Sequence, residues 1–150
     1  MVAIPDQLCW ELVKGNHAFL KKKNGHSKRS GKVSFSTEPG NLKSLNMFKY
    51  SGIANSKAVD ILIDGENRAQ LYTKTASKCG AQPKKSKVVS NINKDFRRAE
   101  SVIMKTTVNN FYRRDLKAAA LGKYTKVYQA NRRAKGITKP VPTKKGRGTN

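Results

Sequence analysis

From Ser77 to Asn150 the chain carries twenty Lys and Arg against three carboxylates, Asp95, Glu100 and Asp115, a local excess of +17. Met1 to Ala76 hold twelve basic and six acidic groups and add +6, giving +23 in all. Self-repulsion of this size opposes compaction unless a polyanion neutralises it, and internal pairing has too few carboxylates to do so. Nucleic acid is the partner class selected, because releasing counterions from phosphates rewards many cations at once. A membrane is the weaker candidate. No apolar run approaches the ~18–20 residues of a spanning helix, no signal-peptide core follows Met1, and Met1-Val2-Ala3 lacks the glycine needed for myristoylation. With a hydrophobic share of 37% over 150 residues, one domain with a small core is expected, plus an extension that does not fold alone. Without a secretory signal, Cys9 and Cys79 read as reduced thiols of a cytosolic or nuclear protein.

Along the chain, Pro5 to Gly15 predicts a short helix, with Pro5 in the first turn, Asp6 at the positive end of its dipole and Gly15 as the stop. Leu8 and Leu12 are expected to face the core with Trp10 as an anchor. His17–Leu20 predicts a strand running into Lys21-Lys22-Lys23, then an exposed connection over 24–32 and a second strand from Val33 to Ser36. Glu38-Pro39-Gly40-Asn41 is a dense turn signal. Phe48 and Tyr50 beyond it have strand-like spacing that leaves Lys49 on the outer face. The clearest hairpin is Ala58–Ile63 and Ala69–Thr73 around Asp64-Gly65-Glu66-Asn67. The periodicity then becomes helical: Ile92, Phe96, Ala99 and Ile103 form one stripe, and Leu116, Ala120, Tyr124, Val127 and Tyr128 a second that ends at Gly136.

The expected fold is α+β: a small antiparallel sheet with an N-terminal helix, followed by two basic helices and an extended basic tail. Residues 1–76 are expected as the small α+β domain, 77–89 as a basic linker, 90–136 as the two-helix segment, and 137–150 as a tail ordered only on its partner.

Catalytic constellations are missing. Cys9, His17, His26 and Cys79 include no close ligand pair, so no metal site is expected. Asp60, Asp64 and Glu66 form an acidic cluster that could hold magnesium, but a turn-forming Asp64 and a solvated Glu66 explain it better. Neither a Gly-x-Ser-x-Gly elbow nor a phosphate-binding glycine loop occurs. The expectation is a protein that is not an enzyme and takes no cofactor and no small-molecule substrate.

No helix-turn-helix, zinc finger or basic zipper argues for DNA, and no aromatic octet argues for the common single-strand RNA module. Scattered cations suit folded RNA read through shape and phosphates. The candidate RNA-binding residues are Lys21, Lys22, Lys23, Lys28 and Arg29 in the first loop, Lys49 beside the elbow, and Lys84, Lys85 and Lys87 in the linker. Arg97 and Arg98, then Arg113, Arg114 and Lys117 at the last helix entry, and Arg132, Arg133, Lys144, Lys145 and Arg147 complete the set. Tyr112 is a candidate for base stacking, with burial the competing fate.

Three pieces occur in order: Leu8-Cys-Trp-Glu-Leu-Val-Lys14 with Phe19-Leu-Lys21; Phe35-Ser-Thr-Glu-Pro-Gly-Asn-Leu42 with Phe48-Lys-Tyr-Ser-Gly-Ile-Ala54; and Tyr112-Arg-Arg-Asp-Leu-Lys-Ala-Ala-Ala120. Together they resemble the eukaryote-specific large-subunit ribosomal protein family L28e, over roughly Leu8 to Arg133. Arg114 departs from a proline common at the opening of that family's last helix. The resemblance implies a structural constituent of the cytoplasmic large subunit, assembled through the nucleolus. It implies contacts with ribosomal RNA, including eukaryote-specific segments, and with neighbouring large-subunit proteins. The alternative is a nucleolar ribosome-biogenesis factor binding precursor RNA, which would be expected to carry further domains, one of them acidic.

Overall fold

The computed structural model describes residues 4–24, 29 and 32–139. Alternating burial builds its centre. Strands β3 (Val59–Ile63) and β4 (Ala69–Lys74) pair antiparallel with Ile61 opposite Leu71, placing Val59, Ile61, Ala69 and Leu71 in the core. The connection closes through the Asp64 N–H on the Arg68 carbonyl at 2.8 Å, and Asn67, not Gly65, takes the left-handed position at φ 54°. Asparagine tolerates that conformation because its short amide bonds locally.

A third strand, β5 (Lys87–Asn91), pairs with β4 and completes the order β3-β4-β5. The end of the expected linker is therefore sheet. It escaped detection because all five residues are exposed and Val88 and Val89 are adjacent, so no inside-outside alternation marks it. Helix α3 (Lys117–Ala134) lies against β3 and β4, α2 (Phe96–Met104) packs on α3, and Ala99, Ile103, Leu116, Ala120, Tyr124 and Val127 share one core with Ile61, Leu71 and Ile92. Both predicted stripes are the buried faces. The last helix ends as expected: Gly136 has φ 70°, its N–H bonds the Arg133 carbonyl at 2.9 Å, and the Ile137 N–H bonds that of Arg132 at 3.0 Å. A left-handed glycine lets both trailing amides fold back onto the helix.

At the other end of the chain, β1 (Leu20–Asn24) and β2 (Lys32–Ser36) form a separate hairpin, joined to the rest by the Phe35–Leu45 bridge. The expected strand over His17–Leu20 begins only at Leu20, because His17–Phe19 turn, with the Leu20 N–H on the His17 carbonyl at 3.1 Å. Phe48–Tyr50 is a 3-10 turn and not a strand, so the two half-buried rings are neighbours across one turn.

Helix α1 (Asp6–Val13) forms where expected but presents the opposite face. Leu8 and Leu12 are 51% and 72% exposed. The helix is anchored by the Asp6 carboxylate, which accepts from the Ser56 N–H at 2.9 Å and hydroxyl at 3.0 Å, and by Trp10 against Phe48 with ring centroids 6.2 Å apart. Among the described residues no helix is long and apolar enough to cross a membrane.

Candidate nucleic-acid interface

The Glu38-Pro39-Gly40-Asn41 elbow is the frame on which the cations are mounted. Glu38 is buried: one carboxylate oxygen accepts from the Ser51 hydroxyl at 3.2 Å and the Ile53 N–H at 3.1 Å, the other from the Asn41 amide at 3.2 Å. Lys74, also buried, serves the same turn from the other side, donating to the Gly52 carbonyl at 3.0 Å and the Asn55 carbonyl at 2.8 Å. One ion takes a hydroxyl and an amide of the 51–55 turn and the other its carbonyls, so neither charge is left without partners in the low-dielectric interior. The turn lies so close to the elbow that a Cβ on Gly52 would stand 2.1 Å from the Pro39 carbonyl oxygen.

From the elbow, the Gly40 N–H donates to Asp60 at 3.2 Å, the Ile61 N–H donates to the same carboxylate at 2.7 Å, and the Lys123 ammonium of α3 closes on it as an ion pair. Burial pushes the Asp60 carboxyl above its ordinary range, with the Lys123 charge pulling the other way. Tyr112 provides the second tie. Its hydroxyl accepts from the Ala58 and Lys74 N–H groups at 3.1 and 3.0 Å and sits within donating distance of both their carbonyls. The competition over Tyr112 is therefore settled for anchoring, and burial raises its phenol above the ordinary range.

Two groups of the expected cations come together on this frame. Lys49 and the Arg113–Lys117 segment, 64 residues apart, meet because Arg113 donates to the Lys49 carbonyl at 2.5 Å and to the Lys57 carbonyl at 2.8 Å. Arg113 also forks onto Asp115 with two bonds of 3.0 Å, and this hydrogen-bonded guanidinium holds the Asp115 carboxyl below the usual carboxylate range. Expected as an RNA contact, Arg113 instead has four of its five N–H directions filled inside the protein. Arg114, Lys117, Lys49 and Lys57 remain exposed around it.

The second group joins the start of α2 to the end of α3. Phe96, Tyr124 and Tyr128 form a ladder with successive ring centroids 6.3 Å apart, and Arg132 lies 5.7 Å from the Tyr128 centroid. An open groove of about 430 Å³ runs between Phe96, Tyr128, Arg132, Arg133 and Lys139. Arg97 and Arg98 follow Phe96 and are exposed. A second groove of about 370 Å³, lined by Asn93, Asn131, Arg132 and Lys135, adjoins it through Tyr128. Asn131 is 7% exposed, and its side-chain oxygen has no hydrogen-bond partner.

The other expected contacts are scattered. Lys84 and Lys85 are exposed on the turn that leads into β5, and Lys87 opens that strand opposite Lys74. Lys21 is exposed in β1, Lys22 and Lys23 follow it in the same strand, and Arg29 is exposed. Lys28, Lys144, Lys145, Arg147 and the expected tail beyond Lys139 lie outside the described residues. Sequence reasoning missed Lys57, whose ammonium lies 5.8 Å from the Tyr112 centroid, and the internal roles of Lys74 and Lys123. The sequence held little signal for these roles: alternation from Ala69 and Leu71 puts Lys74 on the other face of β4, and Lys123 is marked only by its place beside the buried Tyr124. Cys9 and Cys79 are free thiols, and no metal-holding group of three or more His, Cys, Asp or Glu occurs among the described residues.

The Ribosomal L28e protein family model matches residues 8–130, which span the elbow, the sheet and most of α3. The chain belongs to that family. It is 35% identical over 131 residues to large ribosomal subunit protein eL28 of Dictyostelium discoideum, covering 85% of this chain and 89% of that one. It is 35% identical over 138 residues to the Caenorhabditis elegans protein of the same name, covering 89% and 88%. The Schizosaccharomyces pombe protein of that name is 30% identical over 84 residues, 56% of this chain and 60% of that one. By family the chain is a ribosomal protein and not an enzyme.

Proposed function

We propose that this chain is a structural constituent of the cytoplasmic large ribosomal subunit, reaching it through nucleolar assembly, and that it binds ribosomal RNA through phosphates. One observation supports the RNA contacts above the others: the carboxylates are occupied internally. Glu38 and Asp60 are buried in hydrogen bonds, Asp6 holds Ser56, Asp64 accepts from the Gly65 N–H, and Glu11, Glu66 and Asp115 pair with Lys14, Arg68 and Arg113. Seven of the nine acidic groups are thus engaged, and the exposed cations gain almost no neutralisation from the rest of the chain. Phosphates supply it.

The binding surface has two parts. Arg132, Arg133 and Lys139 line one groove, and Arg97 and Arg98 are exposed next to its Phe96 in the sequence; Lys49, Lys57, Arg114 and Lys117 surround the Arg113 clamp. Lys21, Lys84, Lys85 and Lys87 add separate contacts. Because these groups are scattered over turns, helix ends and strands, they read the spacing of phosphates and not base identity.

Sucrose-gradient fractionation tests the assignment. The tagged chain should co-sediment with free large subunits and polysomes and move to the top of the gradient after ribonuclease treatment. Confinement to nuclear precursor particles would overturn it in favour of a biogenesis factor.

A further inference from the structure

Phe111 is 73% exposed, more than any other large apolar side chain among the described residues, and it stands in a surface rich in cations. Its display is built in. Phe111 has φ 51° and Arg113 φ 48°, a left-handed backbone that costs bulky residues energy and persists only where the surroundings enforce it. Here they do. Between the two strained residues, Tyr112 is pinned by backbone groups of Ala58 and Lys74, and Arg113 is clamped to Lys49, Lys57 and Asp115. Upstream, a π-helical turn (Lys105–Asn109) ends with the Phe111 N–H on the Val108 carbonyl at 3.2 Å and the Tyr112 N–H on that of Thr107 at 2.8 Å. Such turns recur at functional sites. The Arg114 guanidinium lies 5.0 Å from the Phe111 ring centroid.

Resting on the RNA-binding function proposed above, we infer that Phe111 and Arg114 form a stacking platform for an unpaired base of the RNA. A base offers a π-face to both the ring and the guanidinium plane, and it brings its own phosphate to the exposed Arg114 and Lys117. An apolar protein surface would have to strip water from those same cations to reach the ring. Asn109 and Asn110, exposed just before Phe111 in the chain, carry amides of the kind that bond base edges.

The test uses the full chain with two probes, protein-free large-subunit ribosomal RNA and a fully paired RNA duplex. Phe111→Ala should weaken binding to the ribosomal RNA about 5- to 100-fold. The slope of log affinity against log salt should not change, since no cation is removed. Phe111→Trp should restore affinity, and duplex binding should respond to neither change. All variants keep a β-carbon at the strained position and, with the side chain exposed, should melt like the parent. Wild-type affinity of Phe111→Ala for ribosomal RNA, or an equal loss on the duplex, would overturn the platform and leave the phosphate contacts standing. Failure of the parent chain to bind ribosomal RNA would remove both.

Discussion

The Lys123 ammonium of the last helix closes on the Asp60 carboxylate of the first core strand, so two residues 63 positions apart fix how the helix lies on the sheet. Asp60 is almost wholly buried, whereas Lys123 reaches it from a side that is one-quarter open. Removing one partner of such a pair leaves an uncompensated charge inside the protein.

Lys123→Met should therefore cost about 3 kcal/mol near neutral pH. Burial raises the folded-state pKa of Asp60. Its contribution to stability is thus fully present below the unfolded pKa of about 4 and is lost as pH rises through the folded value. Without Lys123 the folded value rises further, so the cost of the substitution should shrink as pH falls and Asp60 takes a proton. Urea unfolding at neutral and mildly acidic pH checks this. Asp60→Asn combined with Lys123→Met should be more stable than Lys123→Met alone.

Gly52→Ala should cost at least about 3 kcal/mol, because the new methyl would sit 2.1 Å from the Pro39 backbone oxygen and neither chain can yield without breaking the Glu38 network. Gly65→Ala, where nothing lies within 4 Å, should stay within about 0.5 kcal/mol of the parent. Thermal melts of the two variants provide the comparison.

Arg113→Lys should disturb a titration more than a binding constant. A single ammonium cannot reproduce the fork on Asp115 together with bonds to two carbonyls. The Asp115 carboxyl, now held below its usual range, should rise toward it. In the parent this depressed pKa gives stability that is present above the unfolded value of about 4 and lost as pH falls through the folded one; the variant should lack that increment. Carboxyl-detected NMR titration reads the shift.

Replacing Arg97, Arg98, Arg132 and Arg133 together by Ala should lower the salt slope of RNA binding by about 3. Arg113→Ala should leave that slope unchanged, since its guanidinium is directed inward. Filter binding across a salt series separates the two.

Periodicity made the hairpin and both C-terminal helices legible, because their buried faces repeat at two and about 3.6 residues. It failed where position was decided by one large contact. Trp10 on Phe48 and Asp6 on Ser56 turn α1 so that Leu8 and Leu12 point to solvent, although their spacing alone says core. Phe48 and Tyr50 share the two-residue spacing of a strand with a tight 3-10 turn, and the turn is held by groups from elsewhere, the Asn55 amide on the Phe48 carbonyl and Arg113 on that of Lys49. Within the site, an excess of cations was plain from composition, but which of them face inward was not. Lys74, Arg113 and Lys123 look like any surface cation until the carbonyls and carboxylates of distant segments arrive around them.

The last strand carries a different implication. β5 ends the three-stranded order with Val88 and Val89 open to water, the kind of unpaired border that invites another polypeptide to add itself. Lys84, Lys85 and Lys87 crowd its entrance, and like charges there would repel if two copies aligned edge to edge. A charged entrance of this kind disfavours the strand-to-strand stacking from which fibres grow.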